Sequence, residues 1–165
     1  MKKLLLVRHA KSSWDQAGLS DFDRPLNERG KKDAPEMAKR VKEKGVELDH
    51  LVSSTAKRAR KTAKYFAEAF GLKKEDIQLI EALYGATPPE FVQAINELND
   101  KFETVALFSH NPGITEFAGS LTNVRIEDMP TCAVFALQAD TDSWKEFMNA
   151  EKSFLFFDYP KNPLE

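Results

Sequence analysis

The stretch Leu4-Leu5-Leu6-Val7-Arg8-His9 decides the fold. Its apolar residues are followed at once by polar ones, which is the pattern of a short strand buried on both faces of a parallel sheet. His9 would then lie just past the carboxyl end of that strand. Ligands of open parallel sheets bind outside the carboxyl ends of the strands. These residues therefore predict both a buried central strand and the edge of the sheet that binds a ligand.

Further apolar runs predict the other strands, and helical spacing of apolar residues predicts the segments between them. The predicted strands are residues 51–52, 77–80, 104–108, 133–137 and 154–157, with the last two nearer an edge of the sheet. The predicted helices are residues 33–44, a segment capped by Ser53, Ser54 or Thr55 and ending near 70, a segment starting at 88–89, and residues 114–121. Strands that alternate with helices favour a three-layer α/β/α sandwich with a mostly parallel sheet.

Composition limits what the protein can bind. The chain has 24 basic and 26 acidic residues in 165, a net charge of -2, so it lacks the global positive field that holds nucleic acid or an anionic membrane. Any anion site must be local. Its length is typical of one domain, and we expect residues 1–165 to form one.

Cysteine usage and hydropathy bear on location. Cys132 is the only cysteine, which excludes an internal disulfide and a cysteine zinc cluster and favours a reducing compartment. The apolar run at the start is shorter than the roughly 7–15 residues of a secretory signal. No run approaches the ~18 residues of a membrane span. The sequence therefore predicts a soluble, cytoplasmic protein.

Two arginines are candidates for binding phosphate. The planar fork of a guanidinium supplies positive charge and paired donors to a phosphate dianion. Arg8 follows the first strand, and Arg58 lies in the first turn of its helix, where free backbone amides attract the same anion. Residues 57–61 could instead be a basic patch for nucleic acid, but the overall charge argues against that interpretation.

Two histidines are candidates for the chemistry. A neutral imidazole nitrogen is nucleophilic near pH 7, so His9 can accept a phosphoryl group and later release it to water. His110 follows the predicted strand 104–108, and in its protonated form it can donate a hydrogen bond to the transferring group. With two arginines and a protonated histidine, this chemistry needs no metal and no cofactor.

Four ordered blocks resemble the histidine phosphatase superfamily, which has the phosphoglycerate-mutase-like fold. The blocks are Arg8 through Trp14, Arg24 through Gly30, Ser54 through Thr62, and His110 through Gly113. They span roughly residues 3 to 138, and the short chain with alanine at position 10 points to the SixA-type phosphohistidine phosphatase branch. The resemblance implies that Arg8 and Arg58 bind phosphate, His9 is phosphorylated and His110 completes the pocket.

One part of the family pattern departs here. Many relatives carry an acid after the third strand that protonates the leaving group, and the nearby candidate is Glu81. A doubtful acid favours a phosphohistidine over a sugar phosphate, because an imidazole can be protonated on its other nitrogen before it leaves. Further candidate substrate contacts are Ser13, Trp14, Arg24 and Asn111.

Two other functions fit the same residues. A phosphoglycerate-mutase-type phosphotransferase would rebind the intermediate and exclude water, and a non-catalytic module would only bind phosphorylated ligands. The expected partner is a phosphorylated protein or a small phosphorylated metabolite. Residues 12–30, rich in Ser, Asp, Gly and Pro, predict a long ordered loop where specificity would lie.

Overall fold

The computed structural model describes residues 1–163 as a mixed α/β structure around one central sheet. The strands are β1 Lys2–Arg8, β2 His50–Ser53, β3 Gln78–Leu79, β4 Thr104–Ser109, β5 Val134–Ala139 and β6 Lys152–Asp158. The helices are α1 Glu28–Glu43, α2 Lys57–Ala69, α3 Pro88–Asn96 and α4 Gly113–Leu121. Short 3-10 turns lie at Asp21–Asp23, Lys74–Asp76, Glu81–Leu83 and Trp144–Glu146.

The sheet has the strand order β3-β2-β4-β1-β5-β6. The first four strands in this order are parallel, whereas β5 runs antiparallel to β1 and to β6. The predicted mostly parallel sheet is therefore confirmed, with β6 at one edge. Arg8 pairs with Ser109, so β1 and β4 end at the same level and present the residues that follow them at one edge.

Alternating side chains of the strands pack against two helical layers. Leu5 and Val7 of β1 join a core with buried residues of α1 and α2, while Leu4 and Leu6 join a core with those of α3 and α4. All four side chains are fully buried, because a strand with helices on both faces has no solvated side. The predicted three-layer sandwich is confirmed.

Helix α1 begins at Glu28, five residues before the predicted start. Asn27 caps it, since its side-chain oxygen accepts a 2.8 Å hydrogen bond from the Gly30 amide. The sequence prediction began only where the apolar stripe begins. Gly30 lies directly against the Lys11 backbone, and a Cβ at this position would overlap the Lys11 carbonyl. The block from Arg24 to Gly30 thus fastens α1 to the segment after His9.

The prediction that Ser53, Ser54 or Thr55 caps α2 was wrong. The N-cap is Ala56, which makes no side-chain capping bond. The Ser54 hydroxyl instead accepts a 3.2 Å bond from the Ala56 amide and contacts the His110 ring. Ser54 therefore supports the functional site as well as the turn into the helix.

Within residues 1–163, every helix is too short or too polar to span a membrane.

Candidate active site

A cavity of about 370 Å³ opens at the carboxyl ends of β1 and β4. Arg8 ends β1 and His9 follows it, His110 follows β4, and Arg58 reaches in from the first turn of α2. The His9 and His110 rings lie 5.1 Å apart between centroids, and Arg58 Nε donates to His9 Nε2 over 3.3 Å. The structure thus brings together four side chains from three segments that are far apart in sequence. The cavity is lined by Arg8, His9, Lys11, Ser12, Trp14, Arg24, Arg58, His110, Asn111 and Thr131.

The hydrogen bonds of His9 fix its tautomer. Its Nδ1 lies 2.8 Å from the Ala10 carbonyl oxygen, which can only accept, so Nδ1 carries the proton. Nε2 therefore carries a lone pair, which accepts a hydrogen bond from Arg58 Nε. Nε2, which faces Arg58, is therefore the ring nitrogen that can act as a nucleophile.

Burial keeps His9 neutral. The side chain is only 6% exposed, and desolvation, followed by the charges of its neighbours, lowers its pKa to about 3. The nearby His110, Arg58 and Arg8 all act in the same direction, against a second positive charge. The ring is therefore neutral at pH 7, with a proton on Nδ1 and a lone pair on Nε2, as nucleophilic attack requires.

This lowered pKa predicts a measurable tautomer. As the pH falls from 7 to 5, we expect the His9 ring to stay neutral with its proton on Nδ1, because the pH stays above its pKa. Nitrogen-15 NMR of ring-labelled protein distinguishes the two tautomers and the imidazolium. A His9 ring that gains its second proton near pH 6.5, the ordinary value, would contradict the expectation.

Thr62 joins the nucleophile's segment to the arginine's helix. Its hydroxyl accepts a 2.9 Å bond from the Ala10 amide and donates a 2.8 Å bond to the Arg58 carbonyl. Thr62 lies one helical turn after Arg58, so one side chain ties both ends of the site together. This contact gives a physical reason for a threonine four residues after the arginine.

His110 is held on one side and free on the other. Its Nε2 lies 2.7 Å from the Ser54 hydroxyl, while its buried Nδ1 has no hydrogen-bond partner within residues 1–163. The Ser54 hydroxyl accepts a hydrogen bond from the Ala56 amide, so it can donate its own hydrogen bond to His110 Nε2. The proton of the neutral His110 ring is then on Nδ1. A buried donor without a partner is suited to an oxygen of a bound anion.

The sequence predicts a protonated His110, but in the pocket without an anion His110 is neutral at pH 7. Burial, and then the charge of Arg58, lowers the pKa of His110 to about 4. The neutral ring still offers one N–H donor. A bound phosphate dianion would oppose this effect, since a nearby opposite charge favours the protonated ring.

Arg8 is held by the chain that precedes Cys132. Its Nη1 donates a 2.9 Å bond to the Met129 carbonyl, and its buried Nε has no partner within the described part of the chain. Burial lowers the pKa of Arg8, but a guanidinium stays charged at neutral pH. Arg8 and His110 thus each bring one unsatisfied buried nitrogen to the same cavity.

Asp21, which sequence reasoning missed, organises the mouth of the site. Arg58 donates from Nη1 to the Asp21 carbonyl over 2.7 Å and from Nη2 to its carboxylate over 3.0 Å. Arg24 donates to the same carboxylate over 3.1 Å, and the Tyr84 hydroxyl does so over 2.7 Å. The Tyr84 bond, with the two arginines, lowers the pKa of Asp21 to about 2 despite some burial.

Asp21 fixes the orientation of Arg58. Both terminal nitrogens of the guanidinium are bound to Asp21, which leaves Nε directed at His9. The signal in the sequence was weak, because an aspartate in an aperiodic loop is usually a turn residue. Its role emerges only when residues 12–30 are placed over the strand ends.

An Asp21→Asn substitution tests this positioning. We expect kcat/KM on an aryl phosphate to fall by about 10-fold, since a charged hydrogen bond of about 1.5 kcal/mol is lost and Arg58 is free to turn away. The affinity for vanadate should fall with it, whereas the melting temperature should change little because the carboxylate is half-exposed. The matched control is Asp23→Asn, on the same turn. Unchanged vanadate affinity in Asp21→Asn would contradict the role.

Of the four side chains predicted to contact the substrate, three line the cavity and Ser13 does not. Trp14 is 78% exposed and packs its ring 3.5 Å from the Arg24 guanidinium, and both line the cavity. Asn111 lines the cavity too, but its amide donates to Asp128 and to the Met129 carbonyl. Ser13 does not line it, and its hydroxyl accepts from the Asp15 amide.

Glu81 is not brought into the pocket. It begins a 3-10 turn, its side chain is exposed, and it does not line the cavity. Tyr84, which follows this turn, contacts residues of the site, with its ring 5.4 Å from that of His110 and its hydroxyl on Asp21. The segment after the third strand therefore contributes a phenol and not a carboxylate.

The fold and this pocket define a class of protein. The pocket lies at the carboxyl edge of a mostly parallel sheet and holds a neutral imidazole beside two guanidiniums and a second imidazole. Such a set of side chains can bind and accept a phosphoryl group. A family model described as histidine phosphatase superfamily (branch 1) matches residues 4–104. The chain belongs to this superfamily, whose members are phosphatases or phosphotransferases, as the sequence resemblance predicted.

Individual relatives agree with this assignment. An uncharacterized chloroplastic protein of Arabidopsis thaliana is 32% identical over 153 residues, which cover 88% of this chain and 70% of that protein. Phosphoserine phosphatase 1 of Hydrogenobacter thermophilus is 40% identical over 101 residues, 59% of this chain and 46% of that enzyme. The crystal structure of the putative phosphohistidine phosphatase SixA from Agrobacterium tumefaciens superposes with a TM-score of 0.80 at 27% identity, covering 96% of this chain and 98% of that one. The resemblance to the SixA-type branch is thus confirmed.

Proposed function

We propose that this protein is a cytoplasmic, metal-independent phosphatase that transfers a phosphoryl group to His9 and then to water. The observation that carries the proposal is the His9 Nε2 lone pair, held by the Nδ1–H bond to Ala10 and facing Arg58. A module that only binds phosphate has no need of such a nucleophile. The cytoplasmic setting is supported by the free, fully buried Cys132 thiol.

In the first step the phosphate binds between Arg8, Arg58 and His110. The buried donors on Arg8 Nε and His110 Nδ1, which lack partners in the described chain, would bind its equatorial oxygens. His9 Nε2 attacks phosphorus in line with the leaving atom, and the bond from phosphorus to that atom breaks. The positive charge that develops on the His9 ring is stabilised by the Ala10 carbonyl, which keeps the proton on Nδ1.

In the second step a water attacks the phosphorus of phosphohistidine 9. Its oxygen bonds to phosphorus, and the bond to Nε2 breaks with its electron pair returning to the ring. Both protons of the water stay on the phosphate, which leaves as H₂PO₄⁻. The ring leaves as a neutral imidazole, because Nδ1 keeps its proton and Nε2 regains its lone pair. The neutral ring is then ready for the next substrate.

The substrate is proposed to be a phosphohistidine in preference to an alkyl phosphate. Among residues 1–163, none presents a carboxylic acid to an alkoxide in the pocket, because Glu81 lies outside it and Asp21 has a pKa of about 2. The imidazole of a phosphohistidine needs no such acid, since its own second nitrogen can be protonated before the bond breaks.

A substrate comparison in EDTA tests the proposal. We expect turnover of an aryl phosphate without added metal, and a higher kcat/KM for a phosphohistidine peptide than for alkyl phosphates. A clear preference for the alkyl phosphate would overturn the choice of substrate. Product analysis with a phosphoglycerate separates hydrolysis from mutase activity: free phosphate supports the phosphatase, and isomerised phosphoglycerate overturns it.

A further inference from the structure

A second cavity lies beside the catalytic pocket and shares part of its wall. This cavity, the basic cleft, has a volume of about 170 Å³ and is lined by Lys11, Arg29, Thr131, Tyr159, Pro160 and Lys161, among others. Lys11 and Thr131 also line the catalytic pocket. A molecule bound at His9 can therefore extend across these two residues into the basic cleft.

The far wall of the basic cleft is fixed to the body of the protein. Arg40 of α1 is 8% exposed and donates to the Asp158 carboxylate over 2.7 Å, the Pro160 carbonyl over 3.2 Å and the Asn162 carbonyl over 3.1 Å. These bonds bracket the backbone of Lys161. The segment after β6 is thus held as one shaped wall.

The basic cleft carries uncompensated positive charge. Arg29 has a partner, since its Nε lies 3.4 Å from the Asp33 carboxylate. Neither Lys11 nor Lys161 has a carboxylate within 4.0 Å among residues 1–163. Because the chain as a whole is negative, this is a local feature and not a reflection of composition.

Another cleft next to the catalytic pocket has the opposite charge. Beyond Asn111 lies a cleft of about 410 Å³ that is lined by Glu116, Glu127 and Asp128. A phosphorylated molecule that carries a second negative group is repelled from this cleft and attracted to the basic cleft. The two neighbouring clefts therefore select the direction in which a charged substrate extends.

We propose that the basic cleft binds a second anionic group, on the part of the substrate that leaves. This inference rests on the proposed function and narrows its substrate class to phosphorylated molecules with a carboxylate or a further phosphate. The group belongs either to an acidic side chain beside a phosphohistidine or to a small phosphorylated acid. Tyr159 and Pro160 supply apolar surface for the carbon atoms next to it.

Two matched pairs of substrates test the inference. One pair is a phosphohistidine peptide with glutamate or glutamine beside the modified residue, and the other is an O-phosphorylated hydroxy acid and its carboxamide. We expect the native protein to prefer the charged member of at least one pair. Lys161→Gln should reduce that preference about 3-fold and Lys161→Glu about 10-fold, the size expected for exposed ion pairs. The preference should also weaken at high salt.

Lys145→Gln is the matched control, because Lys145 is exposed and lies in a distant 3-10 turn. Preference confined to the peptide pair identifies an acidic side chain beside a phosphohistidine. Preference confined to the hydroxy acid identifies a small metabolite and overturns the choice of a phosphohistidine as the substrate. Equal kcat/KM within both pairs, or a preference that Lys161→Glu leaves intact, overturns the inference. Metal-free turnover of an aryl phosphate reports on the proposed function separately, since it has no second anionic group.

Discussion

Replacing His9 with alanine is expected to lower kcat by more than ~10³-fold, because the nitrogen that accepts the phosphoryl group is removed. The remaining side chains can still bind the dianion, so KM should change much less. Brief incubation with a ³²P-labelled substrate and acid-free denaturation should trap label on the native protein and none on His9→Ala. The same substitution removes the acceptor for Arg58 Nε, so the variant also tests whether that contact orients the arginine.

The control for this experiment is His50→Ala. His50 lies at the start of β2, away from the catalytic pocket, and its ring stacks on Phe102 at 4.2 Å. That substitution should leave kcat within a few-fold of the native value. Full activity of His9→Ala, or phosphoryl label that persists in it, would rule out the two-step route.

Replacing Arg58 with alanine is expected to reduce kcat by about 10²–10³-fold, the usual cost of losing a donor to the transferring group. Arg58 is 6% exposed and is the cation that contacts His9 directly. Arg58→Lys should recover only a small part of the loss. A lysine carries the charge but lacks the planar fork that holds Asp21 with two nitrogens and His9 with the third.

Arg60→Ala provides a matched control on the same helix. Arg60 donates to the Thr55 carbonyl over 2.8 Å and does not line the catalytic pocket. Melting temperatures of the three variants separate a loss of chemistry from a loss of folding. If Arg58→Lys were as active as the native protein, a simple positive charge would suffice and the role of the fork would be wrong.

Local patterns were enough to predict the sheet and its binding edge. The central residues of β1 and β4 form apolar runs with abrupt polar ends, and such runs are buried on both faces between two helical layers. Because parallel strands end at the same edge, the positions of Arg8, His9 and His110 followed from the strands alone. The boundaries were less accurate where a cap and not a stripe sets the start, as Asn27 does for α1.

The hydrogen bonds that hold the site residues in place could not be predicted from local patterns. Asp21 meets Arg58 across 37 positions and Tyr84 across 63, and Arg40 meets the segment after β6 across about 120. These contacts depend on how aperiodic loops fold over the sheet, and no hydrophobic repeat records that path. For the same reason the segment after the third strand suggested Glu81, whereas in the structure it is Tyr84 that contacts Asp21 at the mouth of the site.

Hydrophobic burial and chain periodicity are enough to predict the three-layer architecture, the strand ends and the residue types that meet there, so the amino-acid sequence alone specifies them. Only the tertiary structure decided the protonation of the two imidazoles, the carboxylate that orients Arg58 and the charges of the clefts next to the pocket. The physical reason is that pKa values and side-chain orientation depend on burial and on neighbours brought in from distant segments. The type of a residue sets what chemistry it can do, and the folded surroundings set the state in which it does it.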